Sequence, residues 1–589
     1  MITASIDFID VKFRLDDTCG MISGCDRIAE VSEIDDGENV SGGSSIDERI
    51  VTGVFLARQA GISIWESEMD EFAANGGVFG SENGGGGSNR AIRAKLVMES
   101  QGICYILSYV YRMMFNRRVL IRYSLHDGFY CVDEGEKGVS SEDLVKIEEN
   151  MRNVLKKPLQ YTFKCIETDY LIEYFEKLGY RDKINVIRAF STDKVKCVKI
   201  NEFIDIIIGD FPLYIDANKV FQLKKYKNGF ILRLPTINSP TVIQEWREPE
   251  SQHAMFNEYS ILANQNGVNT ITDLNLIIEK QEYGEIIKNT EEMHQKKLEY
   301  IANEVVKLFK EKRIITIAGP SSSNKTTFAK LLALKLNAIG YEAIVCEMDD
   351  FSKNRVDIPF GSDGLRDFES VHALDLGLFG DRIHSLLNGE TVPRRKFDFK
   401  TGIGYDMTSE MLSLPDKTFL IIEGIHGINP ELISAIGNDN VIPIYVAPLT
   451  PLPIDYDHRF STTELRLIRR MIRDHKYRGY SARKTILRWT AVRVGEEKNI
   501  FPYQNNAMFC FNSSLLYELP IYSLDGISLL SEALNPEPDE DPNSCDSRLI
   551  TAEARRILAL LKLFKPIPKE NVPLLSCIRE FIGGSALKY

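Results

Sequence analysis

No C-x-x-C pair occurs among the ten cysteines of this 589-residue chain, and only Cys19 and Cys25 lie close together. There is no disulfide framework to read, which favours reduced thiols and a cytoplasmic setting. No window approaches ~18 consecutive apolar residues, so no transmembrane helix is expected. The opening MITASIDFIDVKFRLDD carries acids and no long apolar run, unlike a signal peptide. A basic excess is missing too. The net charge of −13 argues against long nucleic acid or an anionic membrane as partner, because basic surface supplies most of that affinity. Internal repeats are also absent. What the chain does have is 44% hydrophobic and 10% aromatic residues, enough for globular folding over most of its length. That length implies roughly three to four domains.

Two stretches, Asp35 to Glu48 and Ala74 to Asn89, are rich in Gly, Ser and Asn. They bury too little apolar surface to offset the entropy of ordering, so residues 1–92 are expected to be flexible. Residues 93–235 alternate α and β segments and read as an α+β domain. Ser100 to Phe115 has helical apolar spacing, RVLIRYSL and HDGFYCV read as two strands around a turn, and Ser140 caps an acidic helix start. Residues 236–312 contain two amphipathic helices and read as a connector. Over 313–525 the apolar strands at 314–318, 343–348, 418–422 and 441–446 alternate with helices, the pattern of a parallel α/β sheet. An acidic, Pro-rich loop (Asn535 to Asp546) and a last helix (Thr551 to Phe564) lie within 526–589.

Ile314 to Lys330, IITIAGPSSSNKTTFAK, carries the most chemistry. A strand runs into a loop of small residues and then a helix N-terminus, which presents unpaired N–H groups and the positive end of the macrodipole to an anion. Gly319 and Lys325-Thr326 fit G-x-x-x-x-G-K-[ST], with Asn324 at the second glycine. In this reading Gly319, Ser321, Ser322, Ser323, Asn324, Lys325, Thr326 and Thr327 hold the phosphates of ATP. Lys325 reaches the β- and γ-phosphates, and Thr326 gives its hydroxyl to Mg²⁺. Asparagine is the commonest non-glycine residue at positive φ, so Asn324 suits the backbone shape while adding a side chain.

The strand after the loop helix ends in Glu347-Met348-Asp349-Asp350, where α/β sheets place their ligands. An acid there is placed to accept the proton of a hydroxyl. The strand TFLIIEG ends at Glu423 and resembles a Walker B carboxylate on the Mg²⁺ side. On the helix Thr462 to Gly479, Arg466, Arg469, Arg470 and Arg473 fall on one face. Like charges stacked in this way repel, and an anion among them relieves the repulsion. The segment reads as a lid over a transferred phosphoryl group, with a hinge at Gly479.

MDDF, DFES, KFDF, IIEGIHGI and RRMIRDHKYRG follow the loop in an order that resembles the uridine kinase and phosphoribulokinase family of P-loop kinases. REFIGGS (Arg579 to Ser585) is similar to the tail of a multidomain nucleoside kinase form. The resemblance implies that Asp349 activates a nucleoside 5′-hydroxyl and Glu369 holds the ribose hydroxyls. By the same resemblance Phe397 stacks near the base, Glu423 serves Mg²⁺, and Arg469 and Arg473 contact the phosphates. Arg493 is a further candidate contact. Residues from about 95 to 235 resemble the second additional, editing-type domain of threonyl-tRNA synthetases. The H-x-x-x-H helix and the later Cys and His of those domains are missing, and Cys104 with His126 does not make a metal site. The module is therefore expected to be structural or substrate-capping. The expected fold is a P-loop kinase parallel sheet with flanking helices plus this α+β module.

The expected function is phosphorylation of a uridine- or cytidine-like nucleoside by ATP with Mg²⁺. Two alternatives stay open: a nucleotide-binding regulatory protein with a loop weakened at Asn324, and a kinase of another small hydroxylated metabolite. The expected partners are small molecules, with neither nucleic acid nor membrane. The oligomeric state, a homo-oligomer included, is open.

Overall fold

The computed structural model describes residues 85–135, 138–156, 161–190, 192–209, 211–212, 215, 219–360, 366–450 and 452–588. The flexibility expected of residues 1–84 lies outside the described residues, as does part of the segment 210–218. In chain order the first elements are α1 (Gly85–Phe115), β1 (Val119–Leu125), β2 (Gly128–Asp133), α2 (Ser141–Lys156) and β3 (Thr162–Glu167). Then come α3 (Thr168–Leu178), α4 (Arg181–Phe190), β4 (Lys194–Ile200), β5 (Phe203–Ile206), β6 (Gln222–Tyr226) and β7 (Gly229–Arg233). Three helices follow, α5 (Glu250–Gln265), α6 (Ile271–Glu279) and α7 (Tyr283–Lys307). The α/β part runs β8 (Ile314–Ala318), α8 (Lys325–Ile339), β9 (Glu342–Glu347), α9 (Leu376–Leu387), β10 (Val392–Asp398), β11 (Ile403–Leu412), β12 (Thr418–Glu423), α10 (Pro430–Ile436) and β13 (Val441–Ala447). It continues with α11 (Thr462–Arg478), α12 (Ala482–Asn499), β14 (Phe509–Asn512), α13 (Glu518–Ala533), α14 (Cys545–Leu561) and the single turn α15 (Arg579–Ile582).

Helix α1 starts at Gly85, inside the stretch expected to be flexible. Long-range ion pairs fasten its first turns: Arg90 to Asp546 at 2.9 Å and Arg93 to Glu553 at 2.8 Å. Helix α2 begins where its cap residue predicts, with Ser140 Oγ accepting from the Asp143 N–H at 3.0 Å.

The described chain forms two compact units. One, residues 161–211, is a three-stranded antiparallel sheet β3-β4-β5 with α3 and α4. Leu171, Phe175, Ile187 and Val198 lie in its core, beside a buried Lys183–Asp205 ion pair of 2.6 Å. The other unit takes in 85–156 and 212–588, so that β1, β2, β6 and β7 share a unit with the α/β sheet. They form an antiparallel sheet in the order β1-β2-β7-β6. Tyr123, Tyr130 and Ile231 of that sheet share a core with Ala318 and Tyr445 at the C-terminal ends of β8 and β13.

The α/β sheet is parallel, in the order β14-β13-β8-β12-β9. Successive side chains point to opposite faces, and the sequence respects that period. Ile315, Ile317, Phe419, Ile421, Ile442 and Ile444 enter one core with α7 and α8. Ile314, Leu420, Ile422 and Val441 enter the other with α9 and α10. With both faces covered, β8, β12 and β13 read as near-continuous apolar runs. A fully buried side chain such as Phe419 contributes roughly 1.5–3 kcal/mol. Strand β8 sits mid-sheet, flanked by β13 and β12. Its C-terminal end therefore opens between two neighbours, at the crevice where such sheets bind ligands.

Candidate active site

The loop 319–324 leaves β8 so close to β13 that a Cβ on Gly319 would lie 2.0 Å from the Val446 carbonyl oxygen. Only glycine passes there. Beyond it, Ser322 (φ 60°) and Asn324 (φ 68°) both have left-handed backbone. The loop is held from the protein side at three successive carbonyls. Arg466 Nε donates to Ser321 O at 2.9 Å, Arg469 Nη1 to Ser322 O at 3.1 Å, and Ser513 Oγ to Ser323 O at 2.7 Å. The Ser321 N–H donates to Glu496 Oε1 at 2.9 Å.

Asn324 keeps the backbone region that glycine would supply, and its side chain turns into the protein. Its Oδ1 accepts from Arg469 Nη1 at 2.6 Å, and its Nδ2 donates to Cys577 O at 2.8 Å and to Glu580 Oε2 at 3.1 Å. The extra atoms are buried beneath the loop rather than spread into the space a phosphate would take.

The chemistry gathers at the C-terminal edge of the sheet. Lys325 opens α8, donates to Pro320 O at 3.2 Å, and lies within electrostatic reach of Glu423, Asp349 and Glu580. Burial lowers its ammonium pKa against those three carboxylates. Thr326 Oγ1 donates to Glu423 Oε1 at 2.5 Å, so hydroxyl and carboxylate meet at the end of β12. Burial pushes Glu423 up to about 7, although Lys325 and Thr326 pull it down. Asp349 follows β9 on a 3₁₀ turn; its side chain reaches solvent, yet the protein packed around it raises its carboxyl pKa. Glu369 is pushed up to about 7, chiefly by burial and then by Glu496, with Arg470 and Asp349 also near. Its side chain approaches α12 so closely that a Cβ on Gly495 would lie 2.5 Å from the Glu369 Cβ. Phe397 is half-buried on the β10–β11 hairpin, edge-on to Phe399. Asp350 ties that hairpin to the turn after β9, accepting from Phe397 N at 3.3 Å and Lys396 Nζ at 2.8 Å.

The arginine helix differs from the sequence expectation. Its four arginines are not left to repel one another, because carboxylates from other helices meet Arg466 and Arg469, and Asp474 of the same helix lies 3.4 and 3.6 Å from Arg470 and Arg473. Arg466 pairs with Glu496 of α12, and Arg469 with Glu518 at the start of α13. Arg469 is fully buried, and it also donates to Ser513 O at 2.8 Å. Burial opposes its charge, but Glu518 more than offsets this and raises its pKa. Arg469 is thus a brace under the loop, not a lid residue facing transferred phosphate. The helix is embedded through Leu465, Ile468, Met471 and Ile472, and Gly479 (φ 66°) closes it as a left-handed C-cap. Arg493 is occupied by Glu496 and Glu497 at 3.0 and 3.2 Å. Arg470 and Arg473 remain on the site side. Arg470 Nη1 donates to Ser321 Oγ at 2.8 Å, and Arg473 lies near Asp474, Arg478 and Glu580.

Among the described residues, Ser322 Oγ, Ser323 Oγ and Arg473 Nε are buried without a hydrogen bond, and an anion would satisfy donors of this kind; Arg470 Nε already faces Asp474 at 3.4 Å. No group of three His, Cys, Asp or Glu suited to a metal occurs among the described residues. A nucleotide-bound Mg²⁺ needs no such cage, because it takes one or two protein oxygens with phosphate and water. The paired Thr326 hydroxyl and Glu423 carboxylate fit that demand. Cys104 and His126 lie apart from all this. Burial pushes the Cys104 thiol up to about 12 beside Arg459, and His126 contacts Asp127 at 2.9 Å.

Sequence reasoning missed Glu496, Glu518 and Glu580. Each lies on a helix whose local pattern carries no signal for the loop it supports.

Residues 314–514 match the phosphoribulokinase / uridine kinase family. The chain is 27% identical to a uridine kinase of Halalkalibacterium halodurans over 179 residues, which are 30% of this chain and 75% of that protein. It is 28% identical to a threonine–tRNA ligase of Coxiella burnetii over 128 residues, 21% of this chain and 20% of the ligase. The structure of a possible uridine kinase from Bacillus stearothermophilus aligns at 18% identity with a TM-score of 0.22, over 26% of this chain and 79% of that one. The chain thus carries a P-loop kinase domain related to the uridine kinase and phosphoribulokinase family. It also carries a second domain that weakly resembles threonyl-tRNA synthetase at low identity.

Proposed function

We propose that this protein transfers the γ-phosphoryl group of Mg-ATP to the 5′-hydroxyl of a uridine- or cytidine-like nucleoside, giving the 5′-monophosphate and ADP. The observation that carries this reading is the meeting of Lys325, Asp349, Thr326 and Glu423 at the mouth of one phosphate-sized loop. The inward turn of the Asn324 side chain favours an intact loop over a weakened one.

In this reading the loop and Lys325 hold the β- and γ-phosphates, and Arg473 with Arg470 faces the charge that spreads over the transferred group. Thr326 and Glu423 would hold Mg²⁺, which when bound would supply positive charge to neutralise the phosphates. Asp349 accepts the proton as the hydroxyl oxygen bonds to the γ-phosphorus and the bond to the β–γ bridging oxygen breaks. The raised pKa of Asp349 suits that proton transfer. Glu369 orients the ribose hydroxyls and Phe397 stacks near the base. Arg469 acts only through the loop. The α+β module, residues 93–235 in this reading, serves structure or substrate capping.

The test is ADP release with Mg-ATP across a panel of nucleosides and sugar phosphates. Pyrimidine nucleosides should raise it well above background, and Lys325→Ala should abolish the increase. If sugar phosphates alone respond, the nucleoside assignment is wrong; if no acceptor responds, the kinase reading fails.

A further inference from the structure

The phosphate loop rests on a segment far from it in sequence, residues 573–585. Glu580, half-buried on α15, accepts from Thr327 Oγ1 at 2.5 Å and from Asn324 Nδ2 at 3.1 Å. These two donors bracket Lys325-Thr326. The Cys577 carbonyl takes the second Nδ2 contact at 2.8 Å. The segment is itself anchored: Lys476 donates to the Ile582 carbonyl, Arg579 to the Val572 carbonyl and to Gly583 O at 3.1 Å, and the Phe581 ring lies 5.1 Å from the Arg469 guanidinium. Glu580 also lies within electrostatic reach of Lys325 and Arg473, the cations assigned to phosphate.

A glycine at position 324 would adopt φ 68° without strain, but it would have no side chain to bond. Asparagine tolerates the same backbone and adds an amide whose oxygen and nitrogen are both used, one by Arg469 and the other by Cys577 and Glu580. The loop is thereby hydrogen-bonded into a chain from Glu518 through Arg469 and Asn324 to Glu580. Buried polar groups linked in this way rigidify the backbone that carries them.

We propose that Glu580 is a positioning residue of the phosphate loop, acting through Asn324 and Thr327, so that nucleotide affinity depends on the docking of residues 573–585. The proposal rests on the nucleotide-binding reading above. It predicts a coupling that a glycine at 324 would largely remove. The carboxylate supports binding by fixing the loop, and it does not act as a competing anion, because both of its hydrogen bonds go to the loop and its helix.

The experiment measures Mg-ADP affinity by calorimetry, together with amide hydrogen exchange over 319–327, on the full chain. The variants are Glu580→Ala, Glu580→Gln, Asn324→Gly and the double variant Asn324→Gly/Glu580→Ala. Glu580→Ala should weaken Mg-ADP about tenfold and speed exchange in the loop. Glu580→Gln should stay within about threefold of wild type, because its amide oxygen still accepts from Thr327 and Asn324. In the Asn324→Gly background the loss on adding Glu580→Ala should shrink to about threefold. Unchanged or tighter binding in Glu580→Ala overturns the proposal, as does an equal loss in both backgrounds. Tighter binding in Glu580→Gln would identify Glu580 as a competing anion instead. Should Glu580→Ala fail to fold, Glu580→Asp must still weaken Mg-ADP several-fold. If wild type binds no Mg-ADP, the nucleotide reading fails by itself, while faster loop exchange in Glu580→Ala still decides whether this segment holds the loop.

Discussion

Removing Glu518 separates a brace from a lid. In the wild type, Arg469 is sealed beneath the phosphate loop with Glu518 on Nε and Nη2 and with backbone or side-chain oxygens on its remaining donors. Glu518→Ala leaves a guanidinium buried without its counter-charge, which destabilises by about 3–5 kcal/mol. At roughly 2–4 °C per kcal/mol for a domain of this size, Tm should fall by about 10 °C. The double variant Arg469→Met/Glu518→Leu removes both charges and fills the space, so it should lose much less than Glu518→Ala. Thermal and urea unfolding read both changes. Arg469→Met alone should cost stability and weaken Mg-ADP by releasing the Ser322 carbonyl and Asn324. An Arg469→Met variant that keeps wild-type stability and Mg-ADP affinity while kcat falls a hundredfold or more would rule out the brace. That pattern belongs to a residue touching the transferred group only in the transition state.

Glu369 ties stability to pH. Its folded pKa of about 7 lies above the unfolded value, so its contribution is fully present below about pH 4 and lost as pH rises through 7. Glu369→Gln should therefore gain on wild type between pH 5 and pH 8, by on the order of 2 kcal/mol in urea unfolding; a difference that does not change with pH counts against it. Gly495→Ala drives a methyl into Glu369, so KM for the nucleoside should rise about tenfold while KM for ATP holds, and a parallel rise in both would contradict the assignment. Gly319→Ala meets the Val446 carbonyl at 2.0 Å and should cost roughly 1–3 kcal/mol or more, with loss of Mg-ADP binding; a wild-type unfolding curve would show that the loop is not pinned there.

Much of the α/β core was legible because burial on both faces leaves β8, β12 and β13 as apolar runs ending in Gly319, Glu423 and Ala447. Helix α11 was legible too, and the shared face of its arginines was read from their spacing. The environment of Arg466 and Arg469 on that face was not, because their carboxylates come from α12 and α13, and no local pattern names a partner some 30 to 50 residues away. The β10–β11 hairpin shows no clean alternation. Its outer positions, such as Ile403 and Tyr405, are exposed, so Phe397 was reached only through resemblance. The start of α1 was missed because glycine-rich composition argues against helix, and the contacts that fasten it lie across the fold.

The central place of β8 in its sheet has a consequence for assembly. Its two neighbours, β12 and β13, pair with it across roughly 100 residues or more of intervening chain. Contacts of such long range form late, after the loops between them have been closed. During synthesis, β8, its loop, α8 and β9 all emerge before either strand that flanks β8. The crevice at the end of β8 is thus among the last parts of this unit to take shape, and a ligand that fits it would favour only chains that have finished folding.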